Sequence, residues 1–378
     1  MKKILIVSFT NLATDPRVNR QIRFLSENNQ VIAVGLANPN IANVDFIPLT
    51  PTQKQLAQKS ISGLQLITRQ YESYYWSQQI VLECLEKLSH IQVDLIIAND
   101  IITLPLALKI AKSAKVIFDA HEYAPLEFED KLSFRLFFQN YYTYLCQKYI
   151  PSVNAMMTVC QSIADTYEKD TGIVPVVVTN APHYEEIQPR LYNDNSKTIR
   201  LIHHGGATTS RKIETMIKMM DYLDERFELI LMLVQSSKGY LQYLKNIAKD
   251  KQNIQFRQPV KMLELAIELN KYDIGIYILE PNNFNNKYAL PNKFFEFIQA
   301  RLGIAIAPSP EMAKIVKEYD LGVVADDFSP QALAHSLMQL DHQKINFYKQ
   351  QSHKIAHLMS AQNNKKILLN LVEHVLKQ

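Results

Sequence analysis

Cysteine is scarce: Cys84, Cys146 and Cys160 are the only three in 378 residues. They stand far apart on apolar stretches and form neither a CxxC pair nor a Cys/His metal pattern. That excludes a disulfide framework and fits buried free thiols in a reducing cytoplasm. Long hydrophobic runs are missing too, and none approaches the ~20 apolar residues of a spanning helix. The N-terminus Met1-Lys-Lys-Ile-Leu-Ile-Val-Ser8 resembles a signal peptide for three residues only, because its apolar run ends at Thr10-Asn11 without a small-residue cleavage site. The expectation is a cytoplasmic protein, or a peripheral one at the inner face of the plasma membrane. No large excess of one charge exists: +4 net and a pI near 8.7 are too mild to argue for nucleic acid, yet do not hinder contact with an anionic membrane. Internal repeats and low-complexity tracts are absent. The loop after the first apolar run lacks a GxGxxG, which weakens a dinucleotide reading from the start.

What is present reads as globular: 47% hydrophobic and 21% charged residues, in a chain long enough for two domains of ~100–200 residues each. Lys3–Ser8 reads as a strand, a helix starts near Pro16 with Val18, Ile22 and Leu25 inward, and Gln30–Leu36 is a second strand. Asp15 before Pro16 is a capping residue before proline at the first helical position. Residues 53–88 are helical in pattern, then Val93–Asn99 (strand), Leu104–Lys112 (helix) and Lys115–Asp119 (strand) alternate, which implies a parallel sheet covered on both faces. Asp119-Ala-His-Glu122 follows at a carboxyl strand end, where such sheets bind ligands; a histidine that only caps the strand is the even alternative. Lys131–Tyr149 interleaves aromatics with Lys131, Arg135 and Lys148. It is either a helix packed between layers or one whose face meets a membrane or a lipid-linked acceptor. The polar stretch His183–Lys197 reads as an interdomain linker.

A second α/β unit opens with Ile199–His203 as strand, Gly205-Gly206 as a turn that lets the backbone close on a phosphate, and Arg211–Leu223 as helix. A tight turn without ligand explains the glycines equally well. Strands follow at Phe227–Val234, Ile254–Arg257, Asp273–Ile278, Ile304–Ala307 and Leu321–Val324, then helical patterns at Pro330–Leu340 and Ile345–Leu376. The stretch Ala289–Pro308 joins a polar loop, a short helix and a buried strand. Phe294, Phe295, Ile298 and Leu302 fall on its apolar face, which leaves Asn292, Lys293 and Glu296. Lys293 and Glu296 share one side of the first turn, where free N–H groups favour an anion. A cation and a carboxylate there suit a phosphorylated sugar, Lys293 for phosphate and Glu296 for vicinal hydroxyls. A solvated Lys-Glu pair on a core helix is the competing reading.

The run LPNKFFEFIQARLGIAIAPSPEMAKIV resembles the donor-site segment of family-four glycosyltransferases with the GT-B fold, and the ordered landmarks upstream extend that resemblance over nearly the whole chain. It implies an α/β protein of two Rossmann-like domains facing across a cleft: residues 1–185 on the acceptor side, 198–350 on the donor side, and 351–378 as a helix packing back on the first domain. Glu296 would bind the ribose of a nucleotide-sugar, with Gly205, Gly206 and Asn292 also on the donor. Tyr288 stands where the family commonly has a second Glu near the transferred sugar, and Gly206 where it has an Arg. Arg211 matches a Lys that holds the diphosphate. His121 would touch the donor near the reacting carbon, and Arg17 and Asp119 would face the acceptor. The implied activity is retaining transfer of a sugar from a nucleotide-sugar donor to a saccharide or lipid-linked acceptor, in bacterial surface polysaccharide or glycoconjugate synthesis. No Asp-x-Asp occurs, which argues against the other main glycosyltransferase fold and its divalent metal. Neither cofactor nor metal is therefore expected, and phosphate charge falls to Arg211, Lys293 and helix N-termini. The alternatives are a nucleotide-sugar epimerase of the same shape, or an inactive donor-binding homologue, which Tyr288 and Gly206 favour.

Overall fold

The computed structural model describes residues 1–51, 56–192 and 198–378. The chain divides into two compact units: Met1–Thr179 with Asn283–Asn285 and Asn364–Gln378, and Asn180–Asn282 with Asn286–Asn363. The first holds a parallel sheet of β1 (Lys3–Val7), β2 (Gln30–Gly35), β3 (Val44–Pro48), β4 (Leu95–Asn99), β5 (Lys115–Ala120), β6 (Ala155–Thr158) and β7 (Val176–Val177), in spatial order 3-2-1-4-5-6-7. The second holds β8 (Ile199–Ala207), β9 (Phe227–Gln235), β10 (Ile254–Arg257), β11 (Ile274–Tyr277), β12 (Gly303–Ile306) and β13 (Gly322–Val324), in order 10-9-8-11-12-13. The central strands are continuous apolar runs, such as Leu95-Ile-Ile-Ala98 and Ile274–Tyr277, because helices bury both faces. Strand order reverses between β1 and β4 in one sheet and between β8 and β11 in the other. Those are the crevices where open α/β sheets take ligands.

Local chemistry sets the elements that frame these crevices. The helix Pro16–Ser26 begins where the Asp15 side chain accepts from the Arg17 and Val18 amides, and it buries Val18, Ile22 and Leu25. The helix Asn292–Gln299 packs on the second sheet through Phe297, whose ring lies over Gly275 of β11. A Cβ at Gly275 would come within 2.4 Å of that ring, so glycine is needed for the close approach.

Five expectations change. The strand β3 goes unseen in the sequence because it is a half-exposed edge strand ending in Pro48, with no buried run to betray it. The described part of 53–88 forms three helices, Leu56–Ile67, Tyr71–Trp76 and Gln79–Leu88, broken first at left-handed Arg69; residues 53–55 lie outside the described residues. Lys131–Tyr149 is two helices, Leu132–Phe137 and Gln139–Tyr149. Phe134, Tyr141, Leu145 and Cys146 turn inward, while Leu132 and Leu136 stay exposed. Lys148 is engaged by Glu72 and Tyr144. The last helical pattern is likewise two helices, His342–Ile355 and Ala361–Lys377. Of the stretch read as a linker, residues 193–197 lie outside the described residues, and the part before them is tied to the second unit. Arg301 donates to the Glu185 carbonyl at 2.6 Å, and the Tyr192 amide donates to Asn346 at 2.6 Å.

The final helix belongs to the first unit from Asn364 onward, whereas residues 351–363 stay with the second; within that helix Leu368, Leu371, Val372 and Val375 are buried and Asn364 donates to the Thr179 carbonyl at 2.8 Å. All three cysteines are buried, and none forms a disulfide. Among the described residues no helix is long and apolar enough to cross a membrane.

Candidate functional site

At the crevice of the first sheet, the penultimate residue of β5 is Asp119, which is 1% exposed. Arg17, from the start of the first helix, grips both of its oxygens, Nε to Oδ2 at 2.9 Å and Nη2 to Oδ1 at 2.6 Å, and donates through Nη1 to the Val178 carbonyl at 2.6 Å. Gln21 donates to Oδ2 at 3.0 Å, and Asn99 donates to Gln21 at 3.1 Å. Arg17 is 8% exposed, and the carboxylate it grips is 102 residues away. Burial pushes the Asp119 carboxyl up, but Arg17 and His121 more than reverse this, to about 2.

His121 follows two residues later. Its Nε2–H donates to Asn99 Oδ1 at 3.0 Å, with Asp119 Oδ2 at 3.6 Å, and its Nδ1 lies 3.5 Å from Asp100 Oδ1. Burial alone would lower its pKa; Asp100 and Asp119 raise it to about 9, so the ring is a cation at neutral pH. Asp100 sits in the left-handed region (φ 64°) at the end of β4, which aims its side chain into this corner. Beside it opens a pocket of about 250 Å³ lined by Asp100, His121, Glu122, Glu127, Tyr142 and Tyr167 among others. Burial, then neighbouring carboxylates, raise Glu122 to about 7 and Glu127 to about 8. The wall therefore carries protonated and ionised carboxyls together near neutrality, suited to donating to and accepting from hydroxyls.

At the crevice of the second sheet the chemistry is reversed. β8 does not turn at Gly205-Gly206; it runs on to Ala207, still paired with Leu233, Val234 and Gln235 of β9. Gly205 has φ +108°, a backbone only glycine adopts without strain, and this is why the pair looked like a turn. The loop comes after it, as a short 3-10 turn Thr209–Arg211 closed by left-handed Lys212, and the helix read at Arg211–Leu223 is reduced to Glu214–Met219 with a further 3-10 turn. Arg211 folds back to donate to the Gly206 carbonyl at 3.4 Å. Its Nη1 and the Lys293 Nζ lie 3.7 and 3.8 Å from the place a Gly205 Cβ would take, so a guanidinium and a buried amine converge on one glycine.

Lys293 and Glu296 are buried, at 5% and 8% exposed, which removes the solvated-pair reading. Glu296 Oε2 lies 3.4 Å from His204 Nε2 without hydrogen-bond geometry, and it also borders a small hollow with Pro182, His183, Leu265 and Gln299. Burial, then Lys293 and Arg211, lower His204 to about 3. Burial, then Arg211, push Lys293 well below the usual lysine range, against the opposing pull of Glu296. Asn292 is half-buried at the first position of the helix, where Pro291 supplies no side-chain cap. Tyr288 is half-buried with Lys287 Nζ 5.1 Å from its ring centre.

The structure thus gathers Arg17, Asp119 and His121 at one switch point, and Arg211, Gly205, Gly206, Lys293 and Glu296 at the other. Sequence reading missed Asn99, Asp100, Gln21 and Glu127 in the first, and His203 and His204 in the second. The only available signals were polar residues in otherwise apolar strands, Asn99-Asp100 at the end of β4 and His203-His204 within β8.

No protein-family model and no curated protein sequence matches the chain. Solved structures do. Sucrose-phosphate synthase from Thermosynechococcus elongatus aligns with a TM-score of 0.74 at 10% identity over 100% of both chains. HepE from Anabaena, solved with UDP-glucose, aligns at 0.69 and 12% identity over 99% of this chain and 100% of its own. Trehalose 6-phosphate synthase from Burkholderia multivorans aligns at 0.67 and 11% identity over 100% and 98%. The chain therefore has the GT-B glycosyltransferase fold, α/β with two Rossmann-like domains.

Proposed function

We propose that this protein is a glycosyltransferase that moves a sugar from a nucleotide-sugar to a hydroxyl-bearing acceptor. The observation that carries the reading is the convergence of Lys293 and Arg211 on Gly205 at the switch point of the second sheet, with the Glu296 carboxylate one helical turn from Lys293. That is a place for a diphosphate beside a ribose. Neighbours of the same fold were solved with UDP-glucose or UDP, which supports such a donor.

In this reading Glu296 accepts hydrogen bonds from the ribose hydroxyls. Lys293 and Arg211 stabilise the charge that builds on the leaving nucleoside diphosphate, where fixed charges are worth most. His121, a cation at neutral pH, is suited to phosphate or to a developing negative charge and not to the role of general base. The acid-lined pocket beside it takes the acceptor's hydroxyls. Metal independence is proposed on the basic donor site, where Arg211 and Lys293 would answer the phosphate charge. Retention at the anomeric carbon and a place in bacterial surface polysaccharide or glycoconjugate synthesis rest on the family resemblance. Membrane contact is proposed for the exposed Leu132 and Leu136, flanked by Lys131 and Arg135.

Release of free nucleoside diphosphate that requires an acceptor separates this reading from an epimerase and from a binding protein without catalysis. Within it, Glu296→Gln weakens UDP binding by roughly ten- to a hundred-fold, the worth of hydrogen bonds to a charged group. Unchanged affinity in a folded variant would remove the donor site from this helix.

A further inference from the structure

Lys293 has an unusual neighbour for a buried amine. Its Nζ lies 3.0 Å from His203 Nε2 and 4.3 Å from the centre of the Tyr277 ring. His203 is wholly buried on β8, and its Nδ1 is 3.0 Å from the Ile276 carbonyl of β11, just past the point where the ladder between those strands ends. A carbonyl only accepts, so Nδ1 carries the ring proton and Nε2 presents a lone pair to the amine. The other charged or titratable groups facing the pair are Arg211 from the turn after β8, His204 beside His203, and Glu296 on the helix of Lys293 itself. The imidazole thus receives an N–H from Lys293 whether the amine is neutral or charged, and braces its stem on the Gly205 side, where Arg211 also arrives.

We propose that His203 is the positioning residue for Lys293, and that this pair takes up one proton from solvent when a diphosphate binds; the inference rests on the donor-site reading above. The balance is simple. As a neutral amine, Lys293 donates one N–H to His203 Nε2. A proton from water or buffer adds to the amine lone pair, and the resulting ammonium keeps that bond while turning its remaining N–H groups to phosphate oxygens. No other bond forms or breaks. Because burial and Arg211 favour the neutral amine in the empty site, while a diphosphate favours the ammonium, binding raises the amine's pKa. Uptake is greatest between the empty-site and bound pKa values, and affinity falls as pH rises through that interval.

The test is calorimetric titration of UDP, and of GDP and ADP in parallel, into the full chain in buffers of different ionisation enthalpy between about pH 6 and 9. Wild type shows buffer-dependent heats that report net proton uptake. Lys293→Met keeps the stem, abolishes the uptake and loses roughly ten- to a hundred-fold in affinity. His203→Leu weakens UDP about tenfold, leaves uridine affinity unchanged and moves the pH at which uptake occurs, whereas His203→Gln, whose amide oxygen accepts the same N–H, restores most of the loss. Melting temperatures taken alongside identify any variant that misfolds, and the Gln variant then carries the comparison. UDP binding with equal heats in every buffer, or uptake that survives Lys293→Met, overturns the proposal and leaves the donor site standing. Absence of binding by UDP, GDP and ADP alike overturns the donor-site reading and the proposal with it.

Discussion

His121, just after β5, and His204, within β8, each lie by the switch point of a parallel sheet, and they are driven in opposite directions. His121 rises to about 9, while His204 falls to about 3. Burial disfavours the charged ring in both. What differs is the company: Asp100 and Asp119 in the first unit, Lys293 and Arg211 in the second. The first unit supplies its own counterions and is closed electrostatically before any ligand arrives. The second gathers a guanidinium and a buried amine with little to answer them, and leaves the anion to be brought in. One architecture thus holds a finished charge network and an unfinished one.

The sharpest way to break that comparison is to unfinish the first network. Asp119→Ala leaves Arg17 buried without its carboxylate, and stability should fall by about 3–5 kcal/mol, read by urea unfolding. A loss below about 1 kcal/mol would mean that Arg17 finds other satisfaction and that the network is not self-contained.

A smaller effect tests the histidines directly. The folded-state pKa of His121 is raised from 6.5 to about 9, so its contribution to stability is full below the unfolded value and is lost as pH rises through about 9. Wild type should lose on the order of 2 kcal/mol across that window relative to His121→Gln. In a proton NMR titration His121 should change state near pH 9, while His204 stays neutral down to about 3. Both rings titrating near their ordinary value would erase the contrast.

The smallest effect concerns a surface. Arg135→Glu should weaken binding to vesicles rich in anionic lipid by about 1–2 kcal/mol at low salt, with the same change at Arg257 of the second unit having none. Equal responses would reduce the first unit's face to bulk charge.

Much of the fold was legible because parallel strands buried on both faces are written as apolar runs, and β1, β2, β4, β5 and β11 sit within a residue or two of where those runs place them. The edge strand β3 carries no such run. Lys293, Glu296, Asp119 and His121 stood out because polar residues at strand ends and on an apolar helix are conspicuous. Their partners were not legible. Arg17 reaches Asp119 across 102 positions and Lys293 reaches His203 across 90, and no local pattern encodes a contact that only the closed sheet creates. Gly205 misled for a related reason: glycine marks a positive φ, and the letter alone does not say whether the chain turns there or continues as strand.

The placement of the last helix bears on the order in which the protein can be made. Phe24 and Arg20, on the outer side of the first helix, share a pocket wall with Asn364 and Leu368, and Lys365 lies over the Phe24 ring at 5.8 Å. At a synthesis rate of ~5–20 residues per second, the segment Asn364–Gln378 emerges roughly 10–40 s after Thr179 has been added. Over that interval the first sheet exists with one helix uncovered, while Asn180–Asn363, apart from Asn283–Asn285, is produced as one run. The unit begun first therefore receives this helix only after the run of the second unit has been made.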